Sequence, residues 1–235
     1  MRKIFIALIT LVSLSCAQNV YATFDVAAQK SANLAFTASG IVEEVNADIG
    51  SVVSKNQILA KLGNKDIKAM LEKTQIVFKF AVRELERQKK IKKLIDASKY
   101  DKVLSNYENA KASVAYQQAL YEKTILKAPF AGIIYDKSIE VGDAVSGMML
   151  KTVFKIQSIH ARKLILEFDQ KYHGIVKVGQ TFEYKVDGDE KKYRGVISKV
   201  YPYANFDNRK IKAEVEAKDF TVGLFGDGMI LVDGK

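Results

Sequence analysis

The sequence is poor in the residues that build reactive or rigid sites. It has one cysteine, Cys16, no tryptophan, two prolines and two histidines in 235 residues. One cysteine cannot close an intrachain disulfide, nor supply the thiolate set of a structural zinc site. His160 and His173 have no Cys or carboxylate partner at metal-ligand spacing. No Ser-His-Asp arrangement and no Gly-rich phosphate loop is evident. The residues therefore give no catalytic set, no metal site and no cofactor motif, and the chain does not read as an enzyme. Met148-Met149 is the one pair that suggests a soft metal, and it is expected to pack in a core or strand. Glycine and proline are missing from the whole stretch between Asn64 and Pro129, so nothing there breaks a helix.

Long apolar runs are also scarce. Arg2 and Lys3 precede a mostly apolar run over residues 4–14, with Val20-Tyr21-Ala22 after it. A charged start, an apolar run and a small-residue site predict a secretory signal over residues 1–22. The run is shorter than the roughly 20 residues that span a bilayer. Leu14-Ser15-Cys16 leaves two readings open. Cys16 is lost with the signal, or cleavage falls before it and a lipid anchors the new N-terminus. Either way an exported chain is expected. The formal charge is +10, from 37 basic and 27 acidic residues. Export argues against nucleic acid as the partner. Much of the basic excess lies at Lys89, Lys90, Lys92, Lys93 and Lys99, which reads as a solvated face or a dock for an acidic partner.

What is present is one motif in two halves. Residues 38–63 read ASGIVEEVNADIGSVVSKNQILAKLG, and residues 124–157 repeat the plan. Gly40-Ile41-Val42, Gly50, Val53 and Leu59 correspond to Gly132-Ile133-Ile134, Gly142, Val145 and Leu150. Neither half is long enough to bury a core alone, so the two are expected to fold onto each other. Residues 23–37 read as a lead-in without a strong period.

Between the halves the period changes. Asn64 is a candidate helix cap, with Asp66 in the first turn. Ile67, Leu71, Thr74, Phe78, Ala81, Leu85, Gln88, Lys92 and Ile95 follow a 4-3 spacing. Val103, Tyr107, Ala110, Val114, Gln117 and Tyr121 do the same. The turn between them is expected near Ile95-Asp96-Ala97-Ser98, with Ser98 starting the second helix. Two seams of matching period predict an antiparallel helical hairpin of about 40–45 Å. Beyond Gln157 short apolar alternations return. Leu164, Leu166 and Phe168, then Phe182, Tyr184 and Val186, then Val196 and Val200, then Ala213 and Val215 predict a small β-barrel. Residues 224–232 read as its closing strand.

These residues resemble the periplasmic adaptor subunits, or membrane fusion proteins, of bacterial tripartite efflux pumps, in the manner of the resistance-nodulation-division adaptors. The two half-motifs, with Ala128-Pro129-Phe130-Ala131-Gly132, are similar to that family's lipoyl-like domain. Val176-Lys177-Val178-Gly179-Gln180 resembles a turn of its barrel, and the stretch from Gly195 to Pro202 is loosely similar to a later element. Asp227-Gly228-Met229 resembles its closing Pro-Gly-Met. The resemblance implies a mostly β chain in which a lipoyl/biotinyl-like β-domain is split by a coiled-coil hairpin and followed by a small barrel. The implied boundaries are 1–22 for the signal, 23–63 with 124–160 for the lipoyl-like domain, 64–123 for the hairpin and 161–235 for the barrel. It also implies an adaptor between an inner-membrane transporter and an outer-membrane exit duct, self-associating into a ring. Family tips carry an Arg, a Leu four positions on and a Ser seven further. Arg87, Ile91 and Ser98 stand at that spacing, with Ile in place of Leu, and the resemblance makes them the partner-binding residues. No membrane-proximal domain is expected after the barrel.

Other readings are weighed beside it. An adaptor of a type I protein secretion system shares the plan, but such adaptors usually keep an N-terminal membrane helix. A biotinyl or lipoyl carrier needs its lysine on a tight β-turn, and Lys65 instead falls at the base of the helical insert. A plain coiled-coil scaffold has no use for the β halves.

Overall fold

The structure, a computed structural model, describes residues 19–91, 96–218 and 220–232. In chain order its elements are β1 (Val20–Ala28), β2 (Ser31–Leu34), β3 (Gly40–Val45), β4 (Val52–Val53), β5 (Ile58–Leu62), α1 (Lys65–Lys90) and α2 (Ala97–Lys123). They continue as β6 (Ile125–Lys127), β7 (Gly132–Lys137), β8 (Ala144–Val145), β9 (Phe154–Gln157), β10 (Ala161–Asp169), β11 (Thr181–Val186), β12 (Tyr193–Ala204), β13 (Lys210–Lys218) and β14 (Phe225–Leu231). The chain forms two compact units. One is Lys30–Ile159, and the other joins the chain up to Gln29 to the chain from His160 onward.

In the first unit the two half-motifs interlock. Its sheets run β2-β9-β7-β4 and β6-β5-β3-β8, so each sheet contains strands of both halves. Val42 and Ile134 lie in one core with Val53, Leu59, Leu62, Phe154 and Ile156. The halves also exchange backbone hydrogen bonds in matched pairs. Gly50 N–H donates to Ile134 O and Ile134 N–H to Ser51 O. Gly142 N–H donates to Val42 O and Val42 N–H to Asp143 O. Gly50 and Gly142 hold φ of +86° and +96°, which turns each half's loop back onto the other half's strand. One expected equivalence fails. Leu150 does not match Leu59: it is 68% exposed, whereas Leu59 is fully buried. Phe154 and Ile156 fill that strand instead, because the second half carries a longer connection before β9.

The second unit is a closed barrel in the order β1-β10-β13-β12-β11-β14. Leu164, Leu166, Phe168, Phe182, Ala213 and Val215 all point inward, as their alternation requires. Burying each large side chain stabilises the barrel by about 1.5–3 kcal/mol. Two expectations need correction. Residues 23–37 are no lead-in: β1 is a barrel strand whose Val20, Ala22, Phe24, Val26 and Ala28 all face the core. A leader ending at residue 22 would remove Val20 and Ala22 from that core. The boundary expected at residue 23 therefore falls between Gln29 and Lys30. Cys16 and the rest of residues 1–18 lie outside the described residues. In β12, Ile197 is buried and Val196 is 56% exposed, because a register irregularity between Ile197 and Lys199 shifts the strand's facing. The turn at Gln180 is tied from both ends: its side chain accepts from Lys177 N–H at 2.9 Å and donates to Ile175 O at 3.0 Å. Among the described residues, Glu214 is the buried charge of this unit. Its burial opposes ionisation, but the Tyr201 hydroxyl at 2.7 Å and Lys163 at 2.9 Å more than offset that and lower its pKa. The same contact pushes Tyr201 up to about 12.

Candidate functional site

The hairpin is the part of the first unit built for reach. Helices α1 and α2 have 26 and 27 residues, about 40 Å each at 1.5 Å per residue. Every expected seam position of α1 from Ile67 to Gln88 is buried or half-buried, as is every seam position of α2. Leu71, Leu85 and Ala110 are the buried members. Phe78 meets Tyr107 with ring centroids 5.6 Å apart, which fixes the antiparallel register near mid-length. Lys92 and Ile95, the last two expected seam residues of the first helix, lie outside the described residues.

The base of the hairpin is clamped by residues read differently from sequence. Asn64 makes no side-chain cap on α1. Its amide instead donates to Thr124 Oγ1 at 3.0 Å, across the two ends of the insert. Thr124 is 1% exposed and donates in turn to Tyr121 O at 2.6 Å. Leu62 N–H closes the same junction on Thr124 O. Asn64→Ala is expected to cost about 1 kcal/mol, the usual net worth of one such hydrogen bond. A urea unfolding midpoint equal to wild type would show that the clamp carries no load. Lys65 opens α1, with its side chain 91% exposed and 3.9 Å from Glu43. That is a helix start and not the β-turn on which a swinging-arm carrier presents its lysine.

At the far end the three expected partner residues fall on both helices. Arg87 lies one turn before the end of α1, with its side chain 73% exposed. It pairs with Glu84, whose carboxylate also accepts from Gln88 Nε2 at 2.8 Å. Those two contacts, Gln88 first, hold the Glu84 carboxyl below its ordinary pKa. Ile91 is the C-cap residue of α1 and is 41% exposed. Ser98 is exposed but does not start α2. Asp96 is the cap, its carboxylate accepting from Ser98 N–H at 2.7 Å, so Ser98 sits inside the first turn. The acidic side chain two residues earlier outcompetes the serine for the free N–H groups. Residues 92–95, between Ile91 and Asp96, lie outside the described residues. Among the described residues no hydrogen bond joins the three to one another, and all three face outward.

Sequence reasoning passed over a second surface beside the tip. A groove of about 590 Å³ runs along one face of the hairpin, lined by Val77, Phe80, Glu84, Arg87, Val103 and Asn106 among others. Phe80 is 61% exposed there, and Arg83 stacks over its ring at 5.8 Å. The signal was available: Val77 and Phe80 are apolar but fall off the 4-3 seam. Among the described residues no cluster of three or more His, Cys, Asp or Glu is arranged to hold a metal. No described helix is long and apolar enough to cross a membrane.

Known proteins share this arrangement. A family model described as the CzcB-like barrel-sandwich hybrid domain matches residues 30–157, the span of the interlocked halves with their hairpin. The cation efflux system protein CzcB of Alcaligenes sp. is 26% identical over 204 residues, covering 79% of this chain and 39% of that protein. The cobalt-zinc-cadmium resistance protein CzcB of Cupriavidus metallidurans matches to the same extent. The chain thus spans about two fifths of the length of the curated relatives it matches. Among solved structures, a MacA-MexA chimeric protein carrying the Pseudomonas aeruginosa MexA α-hairpin aligns with TM-score 0.83 and 18% identity, over 92% of this chain and 82% of that one. ZneB of Cupriavidus metallidurans aligns with TM-score 0.58 and 20% identity, over 92% and 98%. At such identities these two likenesses speak to the fold.

Proposed function

The chain belongs to the family of CzcB-like barrel-sandwich hybrid domains, and from that premise we propose that it is a periplasmic adaptor of a tripartite efflux complex. In this reading it is exported by its leader. It then links an inner-membrane transporter to an outer-membrane exit duct, with several copies arranged as a ring. Its role is mechanical: it seals the conduit and passes on conformational change, while the transporter supplies the energy. The relatives named for cation efflux favour efflux of small solutes over protein secretion, with metal cations among the candidate cargoes.

One observation carries the reading. Two half-domains lock together around the base of a helical hairpin about 40 Å long, and Arg87, Ile91 and Ser98 at its end are exposed, with Arg87 paired to Glu84 of its own helix. An apolar residue such as Ile91 at a helix end, flanked by Arg87, Lys89 and Lys90, suits a partner with an apolar socket and an acidic rim. A photoreactive amino acid at Ile91, introduced in the producing cell, is expected to crosslink an outer-membrane protein identifiable by mass. The same probe at Val178, 61% exposed on the barrel, should not give that adduct. No adduct from Ile91 would remove the tip from the interface.

A further inference from the structure

Met148 and Met149, expected to pack in a core or strand, are 94% and 77% exposed on the β8–β9 connection. Phe206 is more exposed still, at 98%, and its surroundings say what it meets. It stands in the β12–β13 connection, residues 205–209. Hydrogen bonds fix that connection. Asn205 N–H donates to Lys210 O at 2.9 Å, and Arg209 N–H to Asn205 O at 2.8 Å. Asn205 Oδ1 accepts from Asp207 N–H at 2.7 Å, and Arg209 O accepts from Gln170 N–H at 3.1 Å. Arg209 takes a φ of +54° in closing the turn. None of these bonds uses the side chain of residue 206, and a polar residue suits such a turn better. The phenylalanine therefore calls for a use outside the fold.

The six barrel strands pair antiparallel throughout, so alternate connections fall at the same end. One end carries the start of β1, the end of β14, the 205–209 connection and the 170–180 connection between β10 and β11. Val178, 61% exposed, lies in the second connection, and Tyr203, 58% exposed, just precedes the first. These two connections hold Lys171, Lys177 and Arg209 against one acid, Asp207. At their edges Asp169 and Lys210 are register partners and offset each other. At the opposite end the 187–192 connection holds Asp187, Asp189 and Glu190 against Lys191 and Lys192. The end that exposes Phe206 is thus basic, and the other is not.

The chain that precedes the described residues joins the barrel at this same end. β1 begins at Val20, and Cys16 lies four residues before it, at most about 14 Å of extended chain. The apolar run over residues 4–14 comes just ahead. A lipid on Cys16, or the apolar run itself, would hold a membrane against this end and not the other. We propose that Phe206, with Val178, inserts into an anionic lipid surface, drawn there by Lys171, Lys177 and Arg209. This goes beyond the adaptor reading, which calls on protein partners, and stands on the barrel alone. The size of the apolar feature favours lipid over protein. Two or three side chains bury far less than the roughly 800 Å² a side that a stable protein partner needs. A lipid surface needs no matching socket: an aromatic ring settles at the headgroup level, and each nearby cation adds attraction to anionic lipid. Apolar insertion and a basic patch are two signals that together give stable attachment.

The chain has no tryptophan, so Phe206→Trp in the full chain places a sole reporter in the loop. With vesicles of phosphatidylglycerol and phosphatidylethanolamine, its emission is expected to move to shorter wavelength and to be quenched by brominated acyl chains. Phe225→Trp is the control, at a site 60% exposed at the start of β14 and so toward the opposite end. Its emission is expected to do neither. No shift at residue 206, or equal shifts at both sites, overturns the proposal. Phe206→Asp is expected to lower the vesicle partition coefficient at least about tenfold at an unchanged melting temperature. An unchanged coefficient overturns the proposal as well. If a photoreactive amino acid at residue 206 crosslinks a protein in the producing cell and no lipid, this end is a protein contact and the proposal fails. An Ile91 adduct without the shift at residue 206 would end the membrane contact alone. A shift at residue 206 without that adduct would end the adaptor reading and leave a membrane-bound barrel.

Discussion

Gly132→Val is expected to lower the melting temperature of the interlocked β-domain by more than about 10 °C, an expectation that follows from a destabilisation of about 3 kcal/mol. The reason is backbone proximity. A Cβ on Gly132 would stand 2.4 Å from Gln157 O and 2.9 Å from Ile156 Cγ1. Gln157 cannot retreat freely, because β9 is held between β2 and β7, with Ser31 and Ile133 as its register partners. Gly132 itself pairs with Val53 of the other half, so the clash falls where the halves meet. Gly40 provides the control. It is the equivalent glycine of the first half, and a Cβ there would meet Leu62 Cβ at 3.4 Å, an ordinary contact. Gly40→Ala should therefore change stability by less than about 1 kcal/mol, while Gly132→Ala already costs more. Equal melting temperatures for the two alanine variants would mean that the halves do not approach as described.

That asymmetry marks the limit of what the sequence makes legible. The repeat Gly-apolar-apolar, Gly, Val was enough to pair the halves, because each lacks a core and has matching inward positions at Val42 and Ile134. The hairpin was legible for a similar reason. A 4-3 spacing of apolar residues admits one seam, and the seam buries Leu71, Leu85 and Ala110 as it must. Strand β1 was not legible. Its inward residues Val20, Ala22, Phe24, Val26 and Ala28 alternate correctly, but its partners β10 and β14 come more than 130 residues later, and its first residues match a leader's cleavage site. Local pattern cannot reveal a strand whose ladder is that distant. The helix ends were misread for a different reason. Asn64, Asp96 and Ser98 all have side chains able to cap, and tertiary geometry alone decides which one does. At the tip, sequence supplied the residue types and their spacing, and the structure adds that Arg87 has a resident partner, Glu84.

Arg87→Glu is expected to reduce export to the level of cells lacking the chain. In the proposed contact the substitution removes a fork of hydrogen-bond donors available to a partner's carboxylate or backbone carbonyl, and replaces it with a repelling charge. It also sets two carboxylates at positions 84 and 87, but like charges on an exposed helix face cost only a few tenths of a kcal/mol, so the hairpin survives. Ser98→Asp separates partner contact from folding more sharply. Ser98 lies in the first turn of α2, where negative charge favours the helix. This variant should melt at or slightly above the wild-type temperature and still fail in export, which no structural defect explains. Glu84→Gln completes the set. It releases Arg87 from its internal pair, so export should hold if Arg87 acts on a partner and should fall if the pair itself matters. In the ring proposed above every copy would present the same tip, so a modest loss per contact would multiply into a large loss for the assembly. Accumulation of a fluorescent or metal-cation substrate in cells carrying each variant measures it. Wild-type export by both Arg87→Glu and Ser98→Asp would place the duct contact elsewhere on the hairpin, with the groove at Val77 and Phe80 as the next surface to probe.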